Sequence, residues 1–199
     1  MSKFLGPIHF WLHKKIQNQE ALTQQLLNCS ADKSTTEERM NLVAGTLAKG
    51  ELEEIIDTGN IHGWLQGQLA IAERRFAATV KELLRSGVAI GVLSETALRF
   101  GRKNSLGKAA DVRVAFRGIN DAVPDGMPCD HVNDVLEQSE EKIVWRRSVN
   151  IHKPFWDQAE IDAKYYDVLK NAWIEGMLEE SGITLSCEDE VYTMERKQS

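Results

Sequence analysis

An internal repeat constrains this chain more than any other feature of its sequence. The segment Gly6-Pro-Ile-His9-Phe-Trp11-Leu12 returns, at an offset of 53 residues, as Gly59-Asn-Ile-His62-Gly-Trp64-Leu65. An aliphatic residue and a glutamate follow each copy at matched spacing: Ile16 and Glu20, then Leu69 and Glu73. Helical periodicity alone would not repeat six residue types in the same order, so the two copies predict two equivalent helices.

Composition indicates an ordinary globular protein and argues against two classes of partner. The 199 residues are enough for one well-filled core, and the 42% hydrophobic share supplies it. The 24 basic residues are outnumbered by 30 acidic ones, for a net charge of −6. Because nucleic acids and anionic membranes attract basic surfaces, we expect neither as a partner.

The sequence also predicts a cytoplasmic location. It contains no run of about 20 apolar residues of the kind that spans a membrane. The N-terminus has a short apolar run but no small-residue cleavage site, so a signal peptide is not expected. The three cysteines are an odd number without CxxC spacing, which favours reduced thiols.

The predicted fold class is α+β, mainly helical. Residues 1–104 are expected to form a helical bundle from two repeated helical hairpins, 7–57 and 60–104, with a capping box at Ser34–Glu37 opening the second helix. Residues 105–199 are expected to form an α+β portion. No linker separates the two parts, so one continuous domain is predicted.

The second part contains alternating helix and strand patterns. A helix is predicted over 109–123, with a strand as the alternative because Val112, Val114 and Phe116 alternate. A long amphipathic helix is predicted over 157–180. A β-hairpin is predicted from 132–136 and 142–149, and a second from 183–187 and 191–194. The long helix is therefore expected to pack with a small antiparallel sheet.

The repeat places two histidines in equivalent positions. If the bundle folds up-down-up-down, the first and third helices are parallel, and His9 and His62 lie at the same end beside Trp11 and Trp64. Glu20 and Glu73 would then meet deeper in the bundle. Paired imidazoles are common metal ligands, so His9, His62 and a third ligand form a hypothetical site for a transition metal or haem. The third ligand is expected to be His152, with His131 and Cys129 as alternatives. Helix capping, packing or general-base catalysis are the alternative roles.

Two known metal motifs are excluded by their missing residues. Di-iron bundles need Glu-x-x-His on two helices, and this tetrapeptide does not occur in the chain. His9 and His13 have the spacing of zinc proteases, but Phe10 stands where that motif has its glutamate.

Two further stretches contain residues suited to binding or catalysis. Basic residues cluster from Arg99 to Arg117, and Arg102 among them is a candidate ligand for a carboxylate or phosphate. Gly101–Gly107 is predicted to be a loop, but it is not a phosphate loop, because Ala109 replaces the required Ser or Thr. Cys129 and His131 are a candidate nucleophile and base. A solvated surface is the alternative for the basic stretch.

From Glu73 to Arg196, the order of elements resembles the L-2-amino-thiazoline-4-carboxylic acid hydrolase family. The segments carrying this resemblance are Glu73-Arg-Arg-Phe-Ala, Leu83-Leu-Arg-Ser-Gly87, the strand Ile143-Val-Trp145 and the closing hairpin with Cys187. The resemblance implies hydrolysis of a small, carboxylated, amide-like substrate. Members tend to place a cysteine after that strand, where this chain has Asn150 and His152. No catalytic residue is therefore transferred.

Three functional hypotheses follow. The first is binding of a small molecule or metal by histidines at the ends of the repeated helices, with His9, His62, His152, Trp11, Trp64 and Arg102 as contacts. The second is a hydrolase with a histidine base and a carboxylate held near Arg102. The third is a non-catalytic interaction module. Whether the chain is an enzyme or forms a homo-oligomer stays open at this point.

Overall fold

The computed structural model describes residues 4–109, 111–126 and 130–197, which form eight α-helices and four β-strands. The first part of the chain holds α1 (Pro7–Leu27), α2 (Lys33–Ala44), α3 (Leu52–Ile55), α4 (Ile61–Arg85) and α5 (Ile90–Lys103). The second part holds α6 (Val112–Ala122), β1 (Asn133–Gln138), β2 (Lys142–Arg147), α7 (Lys153–Gln158), α8 (Lys164–Leu178), β3 (Ile183–Glu188) and β4 (Val191–Arg196). The predicted fold class, α+β and mainly helical, is confirmed.

The two repeated segments form neighbouring helices, α1 and α4. Pro7 occupies the first position of α1, where a backbone N–H is not needed. At the start of α4 the Asn60 side chain accepts the backbone N–H of Gly63 at 3.1 Å. Side-chain contacts then join α1 to α4 at sequence offsets of 53, 54 and 55 residues. A nearly constant offset along the two helices shows that α1 and α4 run parallel, with the repeated residues at matching heights.

The boundaries of α2 and α5 differ from the sequence prediction. The Asp32 side chain accepts the backbone N–H of Thr35 at 3.1 Å, so α2 begins at Lys33 and not within the predicted capping box. It ends before Gly45, whose φ of 83° an L-residue rarely adopts. Helix α5 continues through Gly101 to Lys103, where a loop was predicted.

The helix predicted over 157–180 is wrong at residues 159–163, where the chain is not helical. The chain instead forms the short helix α7, a turn, and then α8. Glu160 in the turn has a φ of 54°, and the Ile161 backbone N–H reaches back to the Trp156 carbonyl at 3.1 Å. This closing turn lets α7 pack on α4 while α8 lies against α5.

The four strands form one antiparallel sheet in the order β1-β2-β4-β3. The two predicted hairpins are its outer pairs. Buried residues alternate along β2 and β4, so that Ile143, Trp145, Tyr192 and Met194 face the helices. The sheet therefore closes one side of the core.

The main hydrophobic core draws on both parts of the chain. It contains Leu22 of α1, Phe76 of α4, Leu93 of α5, Trp156 of α7 and Met194 of β4. Helix α5 packs chiefly against α8, which ties the first 104 residues to the second part of the chain. A second, smaller cluster of buried residues lies within the first 104 residues: Leu12, Ile16, Leu52, Ile56, Ile61, Leu65 and Ala72. Within the described residues, none of the helices combines the length and apolar character needed to cross a bilayer.

Candidate functional site

His9 and His62 face each other at the first turns of α1 and α4. Their Nε2 atoms are 3.4 Å apart, and the rings meet edge to face with centroids separated by 5.1 Å. The other ring nitrogen of His9, Nδ1, accepts the backbone N–H of Gly6 at 2.9 Å. His9 therefore joins the N-terminus of α1 to the N-terminus of α4.

The hydrogen bond from Gly6 assigns the tautomer of neutral His9. Because Nδ1 accepts, the proton lies on Nε2, which donates to Nε2 of His62. A metal ion would bind to the lone pair of Nε2, but in this tautomer Nε2 carries the proton and has no lone pair to give. No group of three or more His, Cys, Asp or Glu side chains suited to a metal occurs among the described residues. The bonds of His9 thus do not fit ligation of a metal or haem through Nε2.

His152 lies in a different place from the other two predicted ligands. Its Nδ1 is 3.1 Å from Glu73 Oε2, its Nε2 is 3.2 Å from Asp125 Oδ1, and its ring stacks on Tyr166. Glu73 follows His62 by eleven residues on α4, a rise of about 16 Å. The structure therefore brings His9 and His62 together but does not bring His152 to them.

His152 belongs to a buried cluster of four ionised side chains: Glu73, His152, Asp125 and Lys170. The Lys170 ammonium is 3.1 Å from the Asp125 carboxylate and 3.3 Å from the Tyr192 hydroxyl. Two positive and two negative groups balance, which makes their burial tolerable. None of the four was predicted to contact another from the sequence.

The charges in this ionised cluster shift each other's pKa. Burial lowers the pKa of His152, but the Glu73 and Asp125 carboxylates outweigh it and raise that pKa to about 9. Burial likewise acts against ionised Asp125, yet Lys170 and His152 hold the Asp125 pKa far below its usual range. His152, Asp125 and Lys170 are therefore ionised near neutral pH.

Little space is open beside the ionised cluster. The cavity there has a volume of about 20 Å³ and is lined by Asp125, Asn133, Lys170 and Tyr192 among others. That volume fits a single water molecule and no larger ligand. The arrangement of these charges thus stabilises the packing of α4, α8 and the residues preceding α7, and it does not form a substrate pocket.

Lys15 of α1 is a second buried amine, close to the ionised cluster. Its Nζ donates to the Gly126 carbonyl at 3.1 Å and lies 4.0 Å from the centroid of the Trp11 ring. Burial lowers the Lys15 pKa to about 8, although Asp125, Asp121 and Asp130 act in the opposite direction. Lys15 thus attaches α1 to the segment that carries Asp125.

The remaining predicted contacts are scattered over the fold. Trp11 donates its indole N–H to Asp121 at 2.8 Å, and Trp64 stacks against His13. Arg102 forms a two-pronged ion pair with Glu179, at 2.6 and 3.0 Å, so its guanidinium is already engaged by a carboxylate. Cys129 lies outside the described residues, so its predicted pairing with His131 stays a prediction.

A cavity of ligand size lies between α1, α2, α4 and residues 46–50. We call it the α1–α2–α4 cavity; its volume is about 430 Å³, within the range of small-molecule sites. Its walls are formed by His13, Ile16, Gln17, Glu20, Ala21, Gln24, Glu37, Asn41, Thr46, Leu47, Ala48, Lys49, Gly50, Gln68 and Arg75. It adjoins the histidine-bearing half of α1 but contains neither His9 nor His62.

Arg75 fixes the shape of the α1–α2–α4 cavity. Its guanidinium donates to both carboxylate oxygens of Glu20, at 2.7 and 2.9 Å, and to the Gly45 carbonyl at 2.8 Å. It also contacts Asn41 of α2. The predicted pairing of Glu20 with Glu73 is therefore wrong: Glu20 binds Arg75, whereas Glu73 accepts from Gln19 at 3.0 Å and contacts His152.

His13 provides a neutral polar group in the wall of the same cavity. Burial lowers the His13 pKa, against the opposing charges of Glu51 and Glu53. Its Nε2 is 2.8 Å from the Gln17 side-chain amide, and its Nδ1 has no hydrogen-bond partner among the described residues. A buried polar atom without a partner is uncommon in folded proteins.

Comparison with protein-family models, with curated proteins and with solved structures gives no match for this chain. The resemblance to the L-2-amino-thiazoline-4-carboxylic acid hydrolase family stays an expectation from the sequence.

Proposed function

We propose that this protein binds a small polar molecule in the α1–α2–α4 cavity. The observation that supports this most is the combination of a ligand-sized volume with polar side chains converging from three helices. This proposal keeps the predicted function, small-molecule binding near the ends of the repeated helices, but moves the contacts from His9 and His62 to His13, Gln17 and Gln24.

The charges in the cavity walls suggest what kind of molecule would bind. Two acids, Glu20 and Glu37, face two bases, Lys49 and Arg75. Arg75 and Glu20 already satisfy each other, so neither is free to attract an isolated ion. A neutral or zwitterionic molecule with amide-like donors and acceptors matches these walls. The hydrogen bonds within the walls use the amide nitrogens of Gln17 and Gln24 and the carbonyl oxygen of Gln68. The carbonyl oxygens of the first two and the amide nitrogen of the third are the groups that a ligand would contact.

The hydrolase hypothesis has less support from the geometry. A general base must be unprotonated, and the raised pKa keeps His152 protonated at neutral pH. Arg102, the residue expected to hold the substrate carboxylate, is paired with Glu179. A hydrolase using these two residues is therefore not our first choice.

The proposal is tested by filling the cavity. Ala21 of α1 lines the cavity at an exposed position, so Ala21→Trp would occupy part of its volume without removing a charge. Gln25→Trp, also exposed on α1 but outside the cavity, is the matched control. A panel of zwitterionic amino acids and neutral amides would be tested by thermal shift, with native mass spectrometry for molecules that co-purify.

We expect at least one panel member to raise the melting temperature of the parent protein and of Gln25→Trp but not of Ala21→Trp. The proposal fails if no compound shifts the melting temperature and no small molecule co-purifies. It also fails if a compound that binds is unaffected by Ala21→Trp.

A further inference from the structure

A second cavity, on the opposite side of α2, has a different chemical character. We call it the basic cavity; it lies between α2, α4 and α7 and has a volume of about 350 Å³. Its walls are formed by Arg39, Val43, Ala44, Arg74, Ala78, Lys81, Glu82, Arg85, Phe155, Gln158 and Ala159. Four of these are cationic and one is acidic, in a protein whose net charge is −6.

The position of the cations follows from helix periodicity. Arg74, Lys81 and Arg85 are spaced by seven and four residues, so they share one face of α4. Arg39 projects from α2 across the cavity, where its Nη1 is 3.5 Å from Glu82. The cationic faces of two helices therefore converge on one opening.

The acids nearby neutralise only part of this charge. Glu82 is shared between Arg39 and Arg85, and Glu160 pairs with Lys81 at 3.0 Å. Arg74 is half-buried and has no ion-pair partner among the described residues. Two positive charges are thus left in excess, and a half-buried guanidinium without an anion loses part of its hydration without compensation.

The rest of the wall is apolar. Ala44 and Ala78 are buried at its base, and Val43, Phe155 and Ala159 surround them. Val43 is 73% exposed although it is a large aliphatic residue, so apolar surface at the cavity edge faces solvent. A ligand that matches this cavity needs an anionic group for Arg74 and an apolar group for Val43 and Phe155.

We propose that the basic cavity binds a phosphate monoester with an apolar substituent. Such a phosphate carries a charge of about −1.5 to −2 at neutral pH, which balances the excess of two positive charges. Its oxygens match the planar donors of Arg74, and its alkyl or aryl group would cover Val43 and Phe155. The volume is too small for the two chains of a membrane lipid, so the ligand is a soluble molecule. This inference does not depend on the function proposed for the α1–α2–α4 cavity.

The test uses octyl phosphate as the probe, titrated calorimetrically into the full-length protein, with inorganic phosphate and 1-octanol as comparison ligands. We expect octyl phosphate to bind more tightly than either, and its affinity to fall as sodium chloride is raised from about 0.05 to 0.3 M. Equal affinity for 1-octanol would overturn the role of the cations. Equal affinity for inorganic phosphate would overturn the role of the apolar wall.

Two pairs of variants locate the site. Arg74→Gln should weaken octyl phosphate binding about tenfold or more, the loss expected for a charge-assisted pair, whereas Arg99→Gln on α5 should not. Val43→Glu places an acid at an exposed edge of the cavity and should also weaken binding, whereas Val92→Glu on α5 should not. Unchanged affinity in both Arg74→Gln and Val43→Glu, each with the parent's circular dichroism spectrum, would overturn the proposal.

Discussion

At the scale of single residues, folding raises the pKa of His152, and this change can be measured through the stability of the protein. It is 1% exposed, lies between two carboxylates, and stacks on Tyr166. Because the pKa of His152 is raised, the imidazole keeps its proton to a higher pH in the folded protein than in the unfolded chain. The stability of the fold must therefore depend on pH through this residue.

We predict that the free energy of unfolding falls between about pH 6.5 and pH 8. The stabilisation from His152 is complete below its unfolded pKa of about 6.5 and is lost as the pH rises through about 9. The expected slope is about 1 kcal/mol per pH unit in urea denaturation. Above pH 8 the slope should flatten. The Lys15 pKa is lowered to about 8 in the folded protein, so Lys15 loses its proton at a lower pH there than in the unfolded chain. This difference raises the free energy of unfolding as the pH rises.

The control for this prediction is a pair of histidine substitutions. His152→Gln should be less stable and should lose the slope between pH 6.5 and pH 8, whereas His131→Gln, at an exposed position, should keep it. A slope that survives in His152→Gln would assign the pH dependence to another group.

At the scale of helices, the close contact between α5 and α8 depends on two glycines. A Cβ on Gly101 would overlap the Trp173 carbonyl oxygen, and a Cβ on Gly176 would overlap the Leu98 carbonyl oxygen. The two backbones therefore touch, which no larger residue at either position would permit. Phe100 and Trp173 pack edge to face beside this contact, with ring centroids 5.4 Å apart.

We predict that Gly101→Ala and Gly176→Ala each destabilise the protein by about 3 kcal/mol, since the helices must separate and the core must repack. Gly91→Ala on the same helix α5 has open space around its new methyl group and should stabilise the protein by about 0.5–1 kcal/mol through helix propensity. Chemical denaturation measures all three. Equal effects at positions 91 and 101 would contradict the close approach of the backbones.

At the scale of the whole molecule, the main hydrophobic core joins both parts of the chain. Leu22 of α1 and Ile143 of β2 belong to the same buried cluster although they lie in different parts of the sequence. The ionised cluster likewise joins Glu73 of α4 to Lys170 of α8 through His152 and Asp125. Neither part is expected to unfold while the other stays intact.

We therefore predict a single calorimetric transition for the full chain. Leu22→Ala and Ile143→Ala should each move that transition down by on the order of 10 °C, because each removes a fully buried side chain. Val168→Ala, at a position that is 41% exposed, should move it little. Two separate peaks, each sensitive to one of the core variants, would mean that residues 1–104 and 105–199 unfold independently.

The elements with strong local patterns were predictable from the sequence. The repeat and the 3.6-residue period of α1 and α4 predicted parallel helices with His9 near His62, and the alternating strands predicted both hairpins. The break between α7 and α8 was missed because no Gly or Pro marks it. Its turn is closed by Glu160, a residue type for which a positive φ is unusual.

The buried charges were only partly predictable. On a helical wheel, Lys15 and Gln19 fall at about 340° and 20° when Ile8 is set to zero, within the apolar face of α1. Polar residues on an apolar face indicate a buried polar contact. Their partners, Gly126 and Glu73, are 111 and 54 residues away in the sequence. The residue spacing within α1 cannot identify partners that lie outside that helix.

The enclosure of Lys15 between the Trp11 ring and the Gly126 carbonyl has a practical chemical consequence. An amine with a lowered pKa is intrinsically the more reactive towards acylating reagents, yet this one is 1% exposed and shielded by its neighbours. Reagents would modify accessible amines such as the one on Lys14 while the fold holds, and would reach Lys15 after α1 detaches from residues 125–126. Acylation at this position would therefore report opening of that junction.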